Sequence, residues 1–388
     1  MFAIILFFLI GIFLGILSGL IPGLHSNTII SILSSLGLTN DQLAVIIITL
    51  FPVHLIVSFI PSIFFGIPEQ QTVISVLPGQ RLVLEGKGLI ALKIVLLAAL
   101  FSVLISIALF YFSLSFFDVV YSLIRPYVGY ILTVFSLIFL VRTKNPILSA
   151  FIFVLAGMLG YYSLNANIKD QFLPLFSGMF AMAAILNYKK SKIPKQKDEE
   201  IELNINFFKF VLLGTIAGMF ADLLPGISSP SQVATFLTIF MPINTLGYLA
   251  TLSSIVMSEA IFSFATTASI EKSRVGATAY LSEVINVQDN LLFLLTLFLI
   301  ATIISALIVY LARKYIGKLA EIDFSVFNIL IAVYLFAIIV ILDGLIGIMI
   351  FVLASILGFL TIQFNIERTN LMGAVILPTI LLLFRIFL

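Results

Sequence analysis

Long apolar runs alternate with short polar interruptions along this chain. The runs lie near 2–20, 24–37, 43–60, 88–112, 127–141, 146–163 and 171–187, then near 207–224, 231–241, 245–268, 290–312, 324–341, 344–362 and 370–388. A helix crossing a bilayer needs about 20 apolar residues. The runs lack the roughly ten-residue alternation of an outer-membrane barrel. The pattern predicts an all-α polytopic membrane protein with about 10–14 membrane segments. Two further stretches, 61–87 and 269–289, are apolar but interrupted by Pro, Gly and charge, and are expected to be re-entrant.

The one strongly polar stretch, NYKKSKIPKQKDEEIELNIN, divides the chain nearly in half. It is too charged to enter a bilayer and reads as a solvated linker. The expected organisation is a first repeat over 1–187, a charged cytoplasmic linker over 188–206 and a second repeat over 207–388. A shift of 203 positions lays Gly11 on Gly214, Gly15 on Gly218, Pro22 on Pro225 and Gly23 on Gly226. It also lays HSNT at 25–28 on SSPS at 228–231. Weak internal symmetry with interrupted first helices is a signature of secondary transporters. The Gly11, Gly15, Gly19 stripe is read as a close helix-packing surface, and the repeat departs from it at Gly19, whose counterpart is Asp222.

Charge predicts the orientation. Lys and Arg gather on the cytoplasmic side, so Lys189, Lys190, Lys192, Lys195 and Lys197 place the linker inside. Counting spans from there brings in Arg142, Lys144, Arg81, Lys87 and Lys93, and, if the second half is inverted, Lys209, Arg313, Lys314, Lys318 and Arg368. That is fifteen of the 20 basic residues, leaving Arg125, Lys169, Lys272, Arg274 and Arg385 outside. The halves are therefore expected to be inverted repeats in a cell membrane, with both termini extracytoplasmic. Arg81, Lys87 and Lys93 are read as snorkelling at the cytoplasmic surface. The uncharged start MFAIILFFLIGIFLGILSGL is read as a retained helix rather than a cleaved signal.

Composition narrows the function classes. The chain of 388 residues is 62% hydrophobic and 10% charged, with a mean hydropathy of +1.25. Its net charge of +2 carries no basic tract of the kind that binds nucleic acid. There is no cysteine, which excludes disulfides and thiol nucleophiles, and with only His25 and His54 no metal site is expected. No phosphate-binding loop of the GxxxxGK[ST] type occurs. An enzyme and a bound cofactor are not expected; transport driven by a substrate gradient or by H+ or Na+ is.

The breaks supply candidate chemistry. Pro22 removes a helical donor, Gly23 permits a tight turn, and a helix restarting near His25 offers unpaired N–H groups and a positive dipole end. Such an end binds anions without a basic side chain. The candidate substrate site is Pro22, Gly23, His25, Ser26, Asn27 and Thr28 with Pro225, Gly226, Ser228, Ser229, Ser231 and Gln232. In an inverted repeat the two breaks meet near the midplane. A carboxylate at membrane depth costs about 2.5–3.5 kcal/mol, so Asp222, Glu259 and Glu69 are the ion-coupling candidates. His54 is read as an interior histidine.

GILSGLIPG, GTIAGMFADLLPG, SIFFGIPEQQTVISVLPGQRLVLEGKG and RTNLMGAVILPTILLL resemble the large permease subunit of tripartite tricarboxylate transporters over most of the chain. The resemblance implies an uptake permease for carboxylates, working with a small membrane subunit and an extracytoplasmic binding protein. Glu69 stands where the family usually has Gly or another small residue, which fits poorly with a polycarboxylate. ADLLPGISSPSQ is also similar to a signature of polyprenyl-phosphate translocases, which leaves a phospholipid-carrier flippase as a second reading and a non-transporting membrane scaffold as a third. The partners expected are thus a small anionic substrate or a phospholipid carrier, the bilayer, the two accessory subunits and further copies of the chain as a homo-oligomer, with no nucleic acid.

Overall fold

The computed structural model describes all residues except 1, 22–25, 35, 68–71, 73–74, 188–192, 202, 222–229, 231–232, 235–236, 238–243, 271–274, 322–323 and 386–388. The described helices run in chain order. The first half holds α1 (Phe2–Leu20), α2 (Ser26–Ser34), α3 (Asn40–Val57), α4 (Val76–Leu84), α5 (Gly88–Ile124), α6 (Val128–Val141), α7 (Pro146–Leu164), α8 (Phe172–Phe176) and α9 (Ala183–Leu186). The second holds α10 (Ile205–Ala221), α11 (Thr245–Ile270), α12 (Gly276–Val284), α13 (Leu291–Ala320), α14 (Phe324–Gln363) and α15 (Gly373–Leu383). Among the described residues, six helical stretches are long and apolar enough to cross a membrane, and four shorter ones are apolar. The protein is an all-α polytopic membrane protein.

Local sequence explains the boundaries. Thr39 opens α3 with a capping box, its hydroxyl accepting from Gln42 N–H while Gln42 Oε1 accepts from Thr39 N–H. The helical run continues to Phe65, where Pro61 heads a widened π turn that Gly66 ends at φ +67; glycine adopts that conformation without a side-chain clash. Asn145 caps α7 by accepting from Leu148 N–H. α14 is two helices joined at Gly344, whose φ of +60 and ψ of −149 no helix contains. That break matches the runs expected at 324–341 and 344–362.

α4 and α12, nine residues each, are only about 13 Å long at 1.5 Å per residue, under half of a bilayer crossing. They fill the stretches expected to be re-entrant. Each follows a long buried helix and precedes another long one, so the order long–short–long occurs once per half. Gly88 and Leu291, which open α5 and α13, are again 203 positions apart.

The core is built by exchange between the halves. α3 is buried from Leu43 through Val57, and α11 from Leu249 through Thr266. α1 packs along α3, and α10 along α11. α5 of the first half then packs mainly on α11 of the second, while α13 of the second packs on α3 of the first. Phe51 meets Phe298 edge-on, as Phe117 meets Phe262. Buried hydroxyls fasten the α5–α11 seam: Ser102 Oγ donates to Ser254 O at 2.8 Å and Ser253 Oγ to Val95 O at 2.8 Å, while Thr215 Oγ1 of α10 reaches Ser102 Oγ at 2.9 Å. The outer helices are crossed as well, with α7 against α15 and α14 against the α8–α9 segment.

Two sequence expectations change here. The linker is not wholly solvated: residues 193–201, without helix or strand, form a strap across the ends of α4, α5 and α13. Gln196 is buried, accepting from Gly88 N–H at 2.9 Å and donating to Val83 O, while its own N–H donates to Glu321 Oε1 at 3.0 Å. The backbone of residues 86–88 leaves donors and acceptors that the strap satisfies, which offsets its loss of hydration. Lys93 also does more than snorkel. Its ammonium pairs with Asp198, which Arg313 also grips at 3.0 and 3.2 Å.

Candidate functional site

The two glycine stripes set the geometry of the centre. A Cβ on Gly15 would fall 2.8 Å from Leu50 O and 2.6 Å from Val53 Cβ; one on Gly218 would fall 2.7 Å from Ile255 O and press on Ser258 Oγ. Gly11 likewise meets Ile46 O and Thr49, and Gly214 meets Thr251 O and Ser254. Only glycine lets these backbones approach so closely. The stripe therefore packs helices, as its spacing suggested, and the same joint is built twice.

The joint also fixes the register. The first helices correspond at an offset of 203, but their partners Val53 and Ser258 are 205 apart. At that offset His54 and Glu259 are counterparts. Both are buried, at 3% and 4% exposure, on the two innermost helices. His54 Nδ1 lies 3.0 Å from Ser18 Oγ, whose proton goes to Gly15 O at 3.1 Å. Sequence comparison at a single offset missed this pairing because the register slips by two residues between neighbouring helices.

Of the candidate substrate residues, Ser26 is buried in the first turn of α2 and Asn27 is exposed beside it. Thr28 belongs to α2, its side chain lying outside the described residues. Pro22, Gly23, His25, Pro225, Gly226, Ser228, Ser229, Ser231 and Gln232 lie outside the described residues, as do Asp222 and Glu69 of the coupling set. The structure adds a neighbour that the sequence did not suggest. The Asn27 amide packs against Gly276, where any side chain would collide with it. The starts of α2 and α12 therefore abut. Each is a nine-residue helix whose first N–H groups have no acceptor within the helix. A polar knot marks the comparable tip in the first half, where Ser62 Oγ meets Thr72 Oγ1 at 2.6 Å and Ser75 Oγ donates to Thr72 O at 2.6 Å.

At one end of the molecule Asp198 collects Lys93, Arg313 and Lys314. The hydrogen bond from Lys93, then that from Arg313, outweigh partial burial and hold its carboxyl below the usual carboxylate range. Arg313 also lies 3.9 Å over the Tyr310 ring. This end unites the strap, the 81–93 segment and the 313–314 segment, three of the basic groups that charge counting put on one side. Among the described residues no cluster of three or more His, Asp or Glu could hold a metal.

Paired long apolar helices, a short helix in each half and a buried ionisable group on each central helix describe a polytopic membrane protein built from two similar halves. A family model for the tripartite tricarboxylate transporter TctA family matches residues 5–373. The chain belongs to that family, and is thus a multi-pass permease subunit of the tricarboxylate-transporter kind. It is similar to an uncharacterized protein of Methanocaldococcus jannaschii, 28% identical over 98% of this chain and 99% of that protein. No solved structure matches the chain.

Proposed function

We propose that the chain is the large permease of a carboxylate uptake system, holding its substrate between helix N-termini near the midplane. The observation that carries this reading is the abutting start of α2 and α12, next to the first break. Backbone N–H groups there suit a carboxylate, and the twice-built helix pair around it suits two inverted repeats that rock against each other. The linker end, rich in Lys and Arg, is cytoplasmic in this reading and both termini are extracytoplasmic, in a cell membrane. A small membrane subunit and an extracytoplasmic binding protein deliver substrate, as is usual in the family. H+ or Na+ drives accumulation through Asp222, with Glu259 and Glu69 as the further candidates; a carboxylate at such depth is retained when it titrates or binds an ion.

The test is gradient-driven uptake of citrate and succinate into proteoliposomes, comparing wild type with Asp222→Asn. The variant should lose uphill accumulation and keep part of its downhill exchange, because the anion is held by backbone groups. Full uphill transport by Asp222→Asn removes that residue from coupling and passes the role to Glu259 or Glu69. Flipping of a polyprenyl phosphate with no carboxylate uptake overturns the reading.

A further inference from the structure

The last helix is entered through a tight turn, Arg368–Met372, in the RTNLMG segment. Three consecutive side chains there bury a polar atom that has no hydrogen-bond partner: Arg368 Nη1, Thr369 Oγ1 and Asn370 Oδ1. Such orphans are rare in folded proteins. The Arg368 guanidinium is the most demanding of the three: the side chain is half-buried, its Nη1 is fully buried, and desolvating a cationic group is costly without a counter-charge or dense hydrogen bonding.

Arg368 lines a cavity of about 440 Å³ between the π turn after α3, α4, α9 and α14. Gln80 and the buried Asn328 also line it, on walls of Phe64, Ile185 and Ile331. Among the described residues Arg368 is the one charged side chain at the cavity, and no carboxylate pairs with it. Ile193 at the start of the strap and Asn187 before it also reach the rim, so the cavity belongs to the end that carries the linker. Its size suits a small organic molecule, and a mostly apolar wall with a few convergent donors is the usual form of a ligand site.

We propose that this cavity is a carboxylate-binding station on the linker side of the permease, with Arg368 gripping the carboxylate and the Gln80 and Asn328 amides donating to it. A guanidinium presents two parallel N–H groups at the spacing of carboxylate oxygens. The bound anion supplies the counter-charge that the protein withholds, and an empty station keeps a costly unpaired cation. That cost favours a substrate passing from the midplane toward this end. The inference rests on the carboxylate-permease reading above and adds a second place where the same substrate stops.

Thermal unfolding of the purified full chain, titrated with citrate and with succinate, tests it alongside proteoliposome exchange. Wild type should be stabilised by carboxylate. Without ligand, Arg368→Gln should unfold at the same or a higher temperature, because the unpaired charge is gone. A merely structural arginine would give the opposite sign. The apparent affinity should weaken about tenfold to a hundredfold in Arg368→Gln, the equivalent of one charge-assisted hydrogen bond pair. Arg368→Lys should restore part of it, and Asn328→Leu should lose several-fold affinity with Arg368 in place, which covers the case in which Arg368→Gln does not fold. Unchanged affinity in Arg368→Gln with intact wild-type uptake overturns the station and leaves the permease reading standing. Stabilisation by a polyprenyl phosphate in place of carboxylates overturns the assignment of the ligand. Absence of both carboxylate binding and uptake in wild type overturns the two together.

Discussion

Replacing Gly218 by alanine tests the central joint. Alanine in a free helix is stabilising by about 1 kcal/mol over glycine, so a purely local effect would raise stability. The structure predicts the reverse. The new Cβ falls 2.7 Å from Ile255 O, whereas ordinary contact begins near 3.4 Å, so α10 and α11 must part by about 0.7 Å. Ser258 Oγ, also in the way, donates to Ser254 O at 2.6 Å and loses that bond if it turns aside. Overpacking of this kind costs about 1–3 kcal/mol, and the lost hydrogen bond adds about 1 kcal/mol. Subtracting the helix gain leaves about 1–3 kcal/mol of destabilisation, a fall of a few degrees in the unfolding midpoint. Gly15→Ala, facing Leu50 O at 2.8 Å and Val53 Cβ at 2.6 Å, should behave alike in the first half. Scanning fluorimetry of detergent-purified protein reads both. A midpoint at or above wild type in either variant would show that the stripes do not hold the helices at contact distance.

Two further outcomes follow from the linker end. Asp198→Asn leaves Lys93 and Arg313, at 11% and 16% side-chain exposure, without their counter-charge, and should cost about 1–3 kcal/mol, between the surface and buried limits for ion pairs. Because the folded carboxyl titrates below its ordinary value of 3.8, its contribution is complete above that pH and is lost as pH falls through the lowered value; the gap between wild type and variant should narrow progressively below about pH 4, and a gap that does not narrow as the pH falls contradicts the pairing. Single cysteines at Lys195 and Lys314, clean probes because the chain has none of its own, should both resist a membrane-impermeant maleimide applied outside intact cells, and labelling of either from outside refutes the orientation.

Features with a local or periodic origin were legible in the sequence. The spans follow from apolar run length, the break in α14 from the gap between the runs 324–341 and 344–362, and a close helix-packing surface, though not its partner, from glycines at a four-residue spacing. What was missed depends on long-range contact. Gln196 lies amid lysines and glutamates and reads as solvent-exposed; only the backbone groups at 83–88 make it a buried tie. His54 and Glu259 become counterparts through a two-residue slip that no single alignment offset contains. Arg368 looked like one more basic residue of the inner side, because the cavity beside it is assembled from four distant segments.

The exchanged core has a consequence for biogenesis. Phe51 on α3 waits for Phe298 on α13, roughly 250 residues later in synthesis. At about 5–20 residues per second, the most interior helix of the first half spends some 12–50 s in the bilayer before its permanent neighbour is made. During that interval the face of α3 that α13 will cover, Phe51 included, is open to lipid or the insertion machinery. The first half is thus a nascent chain in need of a holding partner, and its expression alone should yield a degraded or chaperone-bound fragment rather than half a transporter.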